Sequence, residues 1–448
     1  MATTSIPTVS NAELPRRLGL TDSTAIVVGM MIGAGIFLVP NLIAQSLPSP
    51  VWIMAAWIVA GGVSLLGAFG CAELSAALPA TGGQYVFIRE AYGPAAAFVC
   101  GWSLFTVGRS GQVAWLAVVF SLYVGYFTPL GNWESRALSL ALLALFTWIN
   151  IRGVRLGALI QNSLTLAKVA GIVIIVSGAI FFAHRLTAAA TVPVPATAIS
   201  FSSFGVALIA CLLAYDGWVQ LSFVAGEIRN PQRTIARALI LGTLTVAALY
   251  LLANYAYLHV LSIGAIAGSS HVGADAAARV FGASGGAIVA LLILLSVLGS
   301  LNGCFLTTPR VYFAQARDGL FFRRFGRVHP RYDTPTFAIV AQGVWSALLI
   351  LSGSYETLLD YAIFGLWLFY ALMIAAVIVL RRRRPDLPRP CRMWGYPITP
   401  VIFLAIAAWF LVNMLVTRPG AALAGCALVL SGLPAYWAWR RWGQREPA

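Results

Sequence analysis

The sequence predicts an all-α integral membrane protein of twelve transmembrane helices, with a five-plus-five inverted repeat in which helices 1 and 6 are discontinuous. Three observations predict it. The 448 residues are 60% hydrophobic and only 10% charged, with a mean hydropathy of +0.86, whereas a soluble domain carries about 25% charged residues. Apolar stretches of the roughly 20 residues needed to cross a bilayer recur twelve times. The first and sixth of these stretches carry matched, glycine-containing interruptions.

The elements follow in order. Residues 1–20 form a polar tail with Arg16 and Arg17 just before the first apolar stretch, and they lack the apolar core of a cleavable signal peptide. Spans 1 to 5 are read at 21–43, 50–76, 94–124, 136–152 and 158–182, within a first repeat of 21–183. A loop at 184–200, expected outside the cell, precedes spans 6 to 10 at 201–225, 237–261, 285–312, 336–353 and 358–380, within a second repeat of 201–381. An arginine-rich loop at 382–397 leads to spans 11 and 12, at 398–416 and 421–439 within 398–439, and 440–448 is the C-terminal tail. In the loop after span 6, Asn230 before Pro231 reads as a helix start, with the cap residue followed by proline at the first helical position.

Charge separates the loops into two sets. One holds Arg16, Arg17, Arg89, Arg152, Arg155, Arg229, Arg233, Arg237, the cluster from Arg317 to Arg331, Arg381 to Arg384, Arg389, Arg392, Arg440, Arg441 and Arg445. The other holds only Arg136, Arg185, Arg279 and Arg418. Short basic loops stay on the cytoplasmic side, so both termini are expected there, as an even number of spans requires. The net charge of +15 is thereby read as topology in a lipid bilayer, not as a nucleic-acid footprint. The run Arg381 to Arg384 is read as an anchor, with anionic lipid as a second reading. The charges from Glu227 to Arg237 read either as the same positive-inside signal or as an intracellular latch.

The interruption in span 1 is Gly29-Met30-Met31-Ile32-Gly33-Ala34-Gly35-Ile36-Phe37, ending at Pro40; that in span 6 is Leu213-Ala214-Tyr215-Asp216-Gly217-Trp218. Each alone reads as close helix packing through small residues. Matched breaks in the two halves of a bundle, one carrying an acid, point to the binding site of a secondary transporter. Unwound backbone exposes N–H and C=O groups, which are tolerated at membrane depth only around a cavity or within protein.

Lys168 is the single lysine, since the other 28 of the 29 basic residues are arginines, and it sits in apolar span 5. A cation at the bilayer centre costs about 2.5–3.5 kcal/mol on insertion scales, so it reads as functional, with snorkelling to the interface as the bland alternative. Arg109 in span 3 is a second buried cation, with Glu73 or Asp360 as candidate partners. The cysteines, Cys71, Cys100, Cys211, Cys304, Cys391 and Cys426, form no C-x-x-C pair. His184, His259, His271 and His329 are scattered through different segments. Neither a metal site nor a cofactor is expected, and an integral membrane enzyme would need a cluster of histidines or acids that the sequence does not show.

With these residues in hand, the chain resembles the amino acid–polyamine–organocation superfamily, nearest its L-type amino acid transporter branch and bacterial relatives. The resemblance is carried by the two interruptions, by Phe223 to Pro231, and by Gly299-Ser300-Leu301-Asn302-Gly303 leading to Ala316-Arg317-Asp318-Gly319. It covers spans 1 to 10 and implies a leucine-transporter-like fold. It further implies an L-amino acid substrate bound at Met31, Ile32, Gly33, Ala34, Gly35, Leu213, Ala214, Tyr215 and Asp216. Ala34 and Gly35 would give backbone N–H groups to the carboxylate, which suits the positive end of a half-helix; Met31, Leu213 and Asp216 would give carbonyls to the ammonium. Ala34 stands where the family usually has serine, so a hydroxyl contact is lost. Asp216 is read either as the cap of the second half-helix or as a contact to the substrate ammonium.

The resemblance also aligns Lys168 with a lysine that, in sodium-independent members, occupies the place of a sodium ion and bridges the break in span 1, at Gly29, to span 8 near Ser300. Lys168 is then the coupling cation, and a proton carrier if transport is proton-linked. Trp102, Phe105 and Thr106 on span 3, with Trp367 on span 10 and Tyr215, form the expected side-chain pocket, against the plainer reading that large aromatics are packing. Eukaryotic relatives join a heavy subunit through a cysteine between spans 3 and 4; residues 123–135 contain none, so no disulfide-linked partner is expected. Together with the near absence of lysine, this points to a bacterial cytoplasmic (inner) membrane. The expectation is sodium-independent transport of small to medium neutral L-amino acids, by exchange or proton-coupled uptake. A sodium-coupled symporter of the same fold, a cationic amino acid or polyamine transporter, and a non-transporting sensor stay open.

Overall fold

The computed structural model describes residues 13–182, 200–269, 271–353 and 355–442. The expected loop at 184–200 (except Ser200), the first twelve residues of the tail and residues 443–448 lie outside the described residues. Within them the chain is helical, with no strand and one isolated bridge between Leu18 and Ile228.

Nineteen α-helices follow one another among the described residues: α1 (Leu20–Met31), α2 (Gly35–Leu38), α3 (Pro40–Ser46), α4 (Pro50–Ala77), α5 (Gln84–Tyr92), α6 (Pro94–Ser103), α7 (Arg109–Val124), α8 (Asn132–Ile151), α9 (Val154–Phe182), α10 (Phe201–Ala214), α11 (Pro231–Val260), α12 (Ile263–Gly268), α13 (Val272–Phe281), α14 (Gly285–Thr307), α15 (Pro309–Arg317), α16 (Thr336–Ser352), α17 (Tyr355–Arg383), α18 (Ile398–Thr417) and α19 (Pro419–Trp442). Proline opens many of them, at Pro50, Pro94, Pro231, Pro309 and Pro419 among others, because its missing N–H would be unpaired there in any case. Among the described residues, ten helical stretches are long and apolar enough to cross a membrane. The 20-residue α8 and the shorter apolar α16 correspond to the other two predicted spans.

Three local features depart from plain spans and loops. A π-helical turn at Leu104–Gly108 joins α6 to α7. A 3-10 helix, Trp218–Glu227, follows the break after α10. Short helices α5, α12 and α13 occupy stretches read as loops, being too short to register as spans.

Helix α1 sits at the centre, against α9, α11, α14 and the 3-10 helix. Helices α18 and α19 pack on α17 at the periphery and expose Val412, Val416, Leu423 and Trp437. Apolar surface of that extent suits lipid rather than water.

The end of the bundle that carries the arginine-rich loops is cross-linked by polar contacts. The N–H groups of Arg17 and Leu18 donate to the Glu227 carbonyl at 2.8 and 2.9 Å, and the Arg229 N–H donates to Leu18 at 2.8 Å. The carboxylate of Glu227 accepts from Arg310 Nε at 2.7 Å and Nη2 at 3.2 Å, and neither side chain is exposed. Nearby, Glu73 accepts from Arg381 at 2.6 and 2.8 Å and from the Met393 N–H at 2.6 Å. Tyr85, raised by burial first and then by the Asp318 carboxylate, keeps its proton and donates it to Asp318 at 2.8 Å.

Candidate functional site

The two interruptions meet backbone to backbone. Helix α1 ends at Met31, Ile32 turns away with φ −75° and ψ 89°, and α2 starts at Gly35. Helix α10 ends at Ala214, and Gly217, with φ +130°, reverses the chain into the 3-10 helix. A Cβ on Gly217 would lie 2.8 Å from the Met30 carbonyl carbon, and one on Gly35 would lie 3.2 Å from Ala214 Cα. Glycine is required at Gly217 twice over, for its left-handed φ and for this approach.

Breaking the helices frees carbonyls, and the structure fills them with side chains from neighbouring helices. Lys168 Nζ donates to Gly29 and Ile32 carbonyls, each at 2.7 Å, and lies 3.3 Å from Ser300 Oγ. Ser296 Oγ adds a 3.0 Å bond to the Ile32 carbonyl. The wholly buried Tyr250 hydroxyl donates to Met31 at 2.7 Å and lies 3.2 Å from the Ala214 carbonyl. Lys168 is 2% exposed, so the snorkelling alternative does not describe it.

These contacts bear on the expected substrate groups. The Met31 carbonyl, expected to face an ammonium, is taken by Tyr250 and by the Gly33 N–H at 2.9 Å; a carbonyl has two lone pairs, and both are used. The Leu213 carbonyl accepts the Asp216 N–H at 3.3 Å. The N–H groups of Ala34 and Gly35 meet no acceptor among the described residues, as expected at the start of a half-helix. Ile32, Gly33 and Ala34 form the unwound segment itself.

Asp216 does not cap the 3-10 helix, whose first turn has no side-chain cap. Its carboxylate instead accepts from the Tyr370 hydroxyl on one oxygen and lies 3.3 Å from Arg109 Nη1 on the other. Arg109, fully buried, also donates to Gln112 at 2.8 Å and to the Tyr370 hydroxyl at 2.9 Å. This corrects the expected pairing of Arg109. Glu73 is engaged by Arg381, and the side chain of Asp360 lies outside the described residues. Asp216, Tyr370, Trp367, Trp218, Ser64 and Phe403 line a narrow cavity beside the break.

The expected pocket needs correction on span 3. Trp102 stacks on Phe98 and donates to Ser431 of α19 at 3.2 Å. Phe105 lies in an aromatic cluster with Tyr312, Phe321, Phe325 and Trp345. The Thr106 hydroxyl folds back onto the Trp102 carbonyl at 2.8 Å. A π-helical turn runs through this stretch and shifts the helical register, and Arg109, directly after it, reaches Asp216. Trp367 lines the cavity and stacks on Phe410. Tyr215 packs with Trp57 and Tyr250, on the other side of the break.

Sequence reasoning missed Tyr250, Ser296, Tyr370 and Arg310. Each is an ordinary helix residue whose role depends on which carbonyl or acid a distant segment presents. A buried arginine following Pro309 was a signal for Arg310 that span-by-span reading passed over.

Helices long and apolar enough to cross a membrane, two broken helices in backbone contact, and a buried cation bound to the carbonyls of the first break agree with the chain's similarity to known proteins, which makes it a transporter and not an enzyme. It belongs to the amino acid permease family, which matches residues 18–429. It is 30% identical to the serine/threonine exchanger SteT of Bacillus subtilis over 96% of this chain and 98% of that protein. It is 31% identical to the human b(0,+)-type amino acid transporter 1, over 95% and 88% of the two chains. It is also 30% identical to the human large neutral amino acids transporter small subunit 2, over 97% and 82%.

Proposed function

We propose that this chain moves small to medium neutral L-amino acids across the cytoplasmic membrane by alternating access, without sodium, and by exchange in preference to proton-coupled uptake. The observation that carries the reading is the Lys168 ammonium held between the Gly29 and Ile32 carbonyls at 2.7 Å. A fixed cation there repels a second one, so a sodium ion has no counterpart at this point. The similarity to a serine/threonine exchanger over nearly all of both chains supports exchange and a small side chain.

In this reading the α-carboxylate meets the N–H groups of Ala34 and Gly35, at the positive end of a half-helix. The ammonium meets carbonyls around Leu213 and Asp216, and reaches Met31 once Tyr250 lets go. Gly29, Lys168 and Ser300 couple the occupied site to α14. The buried Glu227–Arg310 pair acts as a cytoplasmic latch, because separating it would strand a buried charge at a cost of about 3–5 kcal/mol.

The twelve-span topology, the repeats at 21–183 and 201–381, and cytoplasmic termini belong to the same proposal and rest on the arginine asymmetry of the loops. The segment 123–135 has no cysteine, so the chain works without a disulfide-linked heavy subunit.

The test is uptake of labelled L-amino acids into sodium-free proteoliposomes, empty or preloaded with unlabelled amino acids at equal pH. Uptake confined to loaded vesicles is the expected result. Uptake into empty vesicles driven by an inward proton gradient replaces exchange with symport, and a strict need for sodium overturns the reading of Lys168.

A further inference from the structure

We propose that Arg109 is a specificity-determining residue: by neutralising Asp216 it keeps substrates with charged side chains out of the cavity beside the span 6 break. This rests on the amino acid transport reading and adds the basis of its selectivity.

The argument starts from an imbalance. Asp216 lines, with Trp218, Trp367, Tyr370 and Phe403, a cavity of about 10 Å³ that has room for a single water until the break opens to substrate, and its side chain keeps 22% of its exposure. An acid so placed among aromatic walls attracts a cationic side chain, because little water remains to screen it. Arg109 prevents this. It is wholly buried, lies 3.3 Å behind the carboxylate, and is aimed by Gln112 at 2.8 Å. The Tyr370 hydroxyl bonds both members, at 2.9 Å to Arg109 and by a short contact to Asp216. The acid and the base thus form a neutral, clamped unit, and its outward surface is polar but uncharged overall.

The symmetry of the pair gives the inference two opposite consequences. A buried ion that loses its partner is strongly disfavoured until something else supplies the counter-charge. Without Arg109, a lysine or ornithine side chain supplies it to Asp216. Without the Asp216 charge, a glutamate or aspartate side chain supplies it to Arg109. A structural ion pair with no part in selectivity predicts neither.

The experiment measures lysine, glutamate and a neutral amino acid as ligands of the purified full chain, by ligand-induced shift in melting temperature and by uptake in proteoliposomes. Uptake of the neutral amino acid by the unaltered protein tests the transport reading itself. Given that uptake, the unaltered protein is expected to respond to neither charged ligand. Arg109→Gln is expected to gain lysine, and Asp216→Asn to gain glutamate, each by on the order of tenfold over the unaltered protein. The double variant Arg109→Gln/Asp216→Asn gains neither. Tyr370→Phe, which keeps the ion pair, still excludes both. Lysine or glutamate accepted by the unaltered protein overturns the inference, even if no substituted protein folds. So does a folded single variant that gains no charged ligand, or the same gain in both single variants.

Discussion

The Tyr250 hydroxyl stands 2.7 Å from the Met31 carbonyl, so one phenol on α11 closes the carbonyl that the break in the first helix leaves open. The same hydroxyl is 3.2 Å from the Ala214 carbonyl at the other break. A single side chain therefore ties both unwound segments to a continuous helix. Tyr250→Phe keeps the ring packing with Trp57 and Tyr215 and removes only this tie. The Met31 carbonyl keeps its bond from the Gly33 N–H, so the change removes one net hydrogen bond, about 0.5–1.5 kcal/mol. The expected outcome is a folded protein with a lower melting temperature and slower exchange. Wild-type exchange kinetics in Tyr250→Phe would remove the hydroxyl from the transport cycle.

Lys168 can be displaced without being replaced. A Cβ on Gly299 would lie 2.6 Å from Lys168 Cε and 2.8 Å from Nζ. The obstructed atoms are the far end of a flexible side chain, so Gly299→Ala is expected to fold and to push the ammonium off the Gly29 and Ile32 carbonyls. Hydrogen bonds from a charged donor contribute about 1.5–3 kcal/mol each. Losing one changes an equilibrium roughly ten- to a hundredfold. Gly299→Ala should reproduce the transport defect of Lys168→Ala in both directions across the membrane. Full transport in Gly299→Ala beside inactive Lys168→Ala would mean that the lysine acts by its charge alone, wherever its tip sits.

Much of this site was legible because its residues violate the rules of an ordinary membrane helix. Gly29 to Gly35, the Tyr215-Asp216-Gly217 turn and a lone lysine at membrane depth are each costly without a purpose, and cost is visible in one dimension. The partners were not legible. Tyr250, Ser296 and Tyr370 obey every rule for their helices, and their work is done by hydroxyls that reach segments 154 to 264 positions away in sequence. The facing of α6 and α7 failed for another reason. The π-helical turn at Leu104–Gly108 shifts the helical register, and nothing in the run Leu-Phe-Thr-Val-Gly announces an extra residue in the turn. Trp102, Phe105 and Thr106, expected in the side-chain pocket, pack instead on Ser431, on an aromatic cluster and on their own helix, while Arg109 reaches Asp216.

Two glycines with left-handed backbone separate local strain from function. Gly217 has φ +130°, and a Cβ there would meet the backbone of Met30 at 2.8 to 2.9 Å. Gly353 has φ +73° with no described atom within 4 Å of where a Cβ would be. Alanine at Gly353 meets only the backbone penalty, about 1–2 kcal/mol, and should lower the melting temperature slightly while transport stays unchanged. Alanine at Gly217 adds overpacking against main-chain atoms that cannot turn aside, about 1–3 kcal/mol more. It also forces apart the two breaks whose contact forms the site. Gly217→Ala is therefore expected to abolish substrate binding, read as loss of the ligand-induced melting shift, even where the protein can still be purified. Equal behaviour of the two variants would mean that the contact between Gly217 and Met30 is packing and that the substrate site lies elsewhere in the bundle.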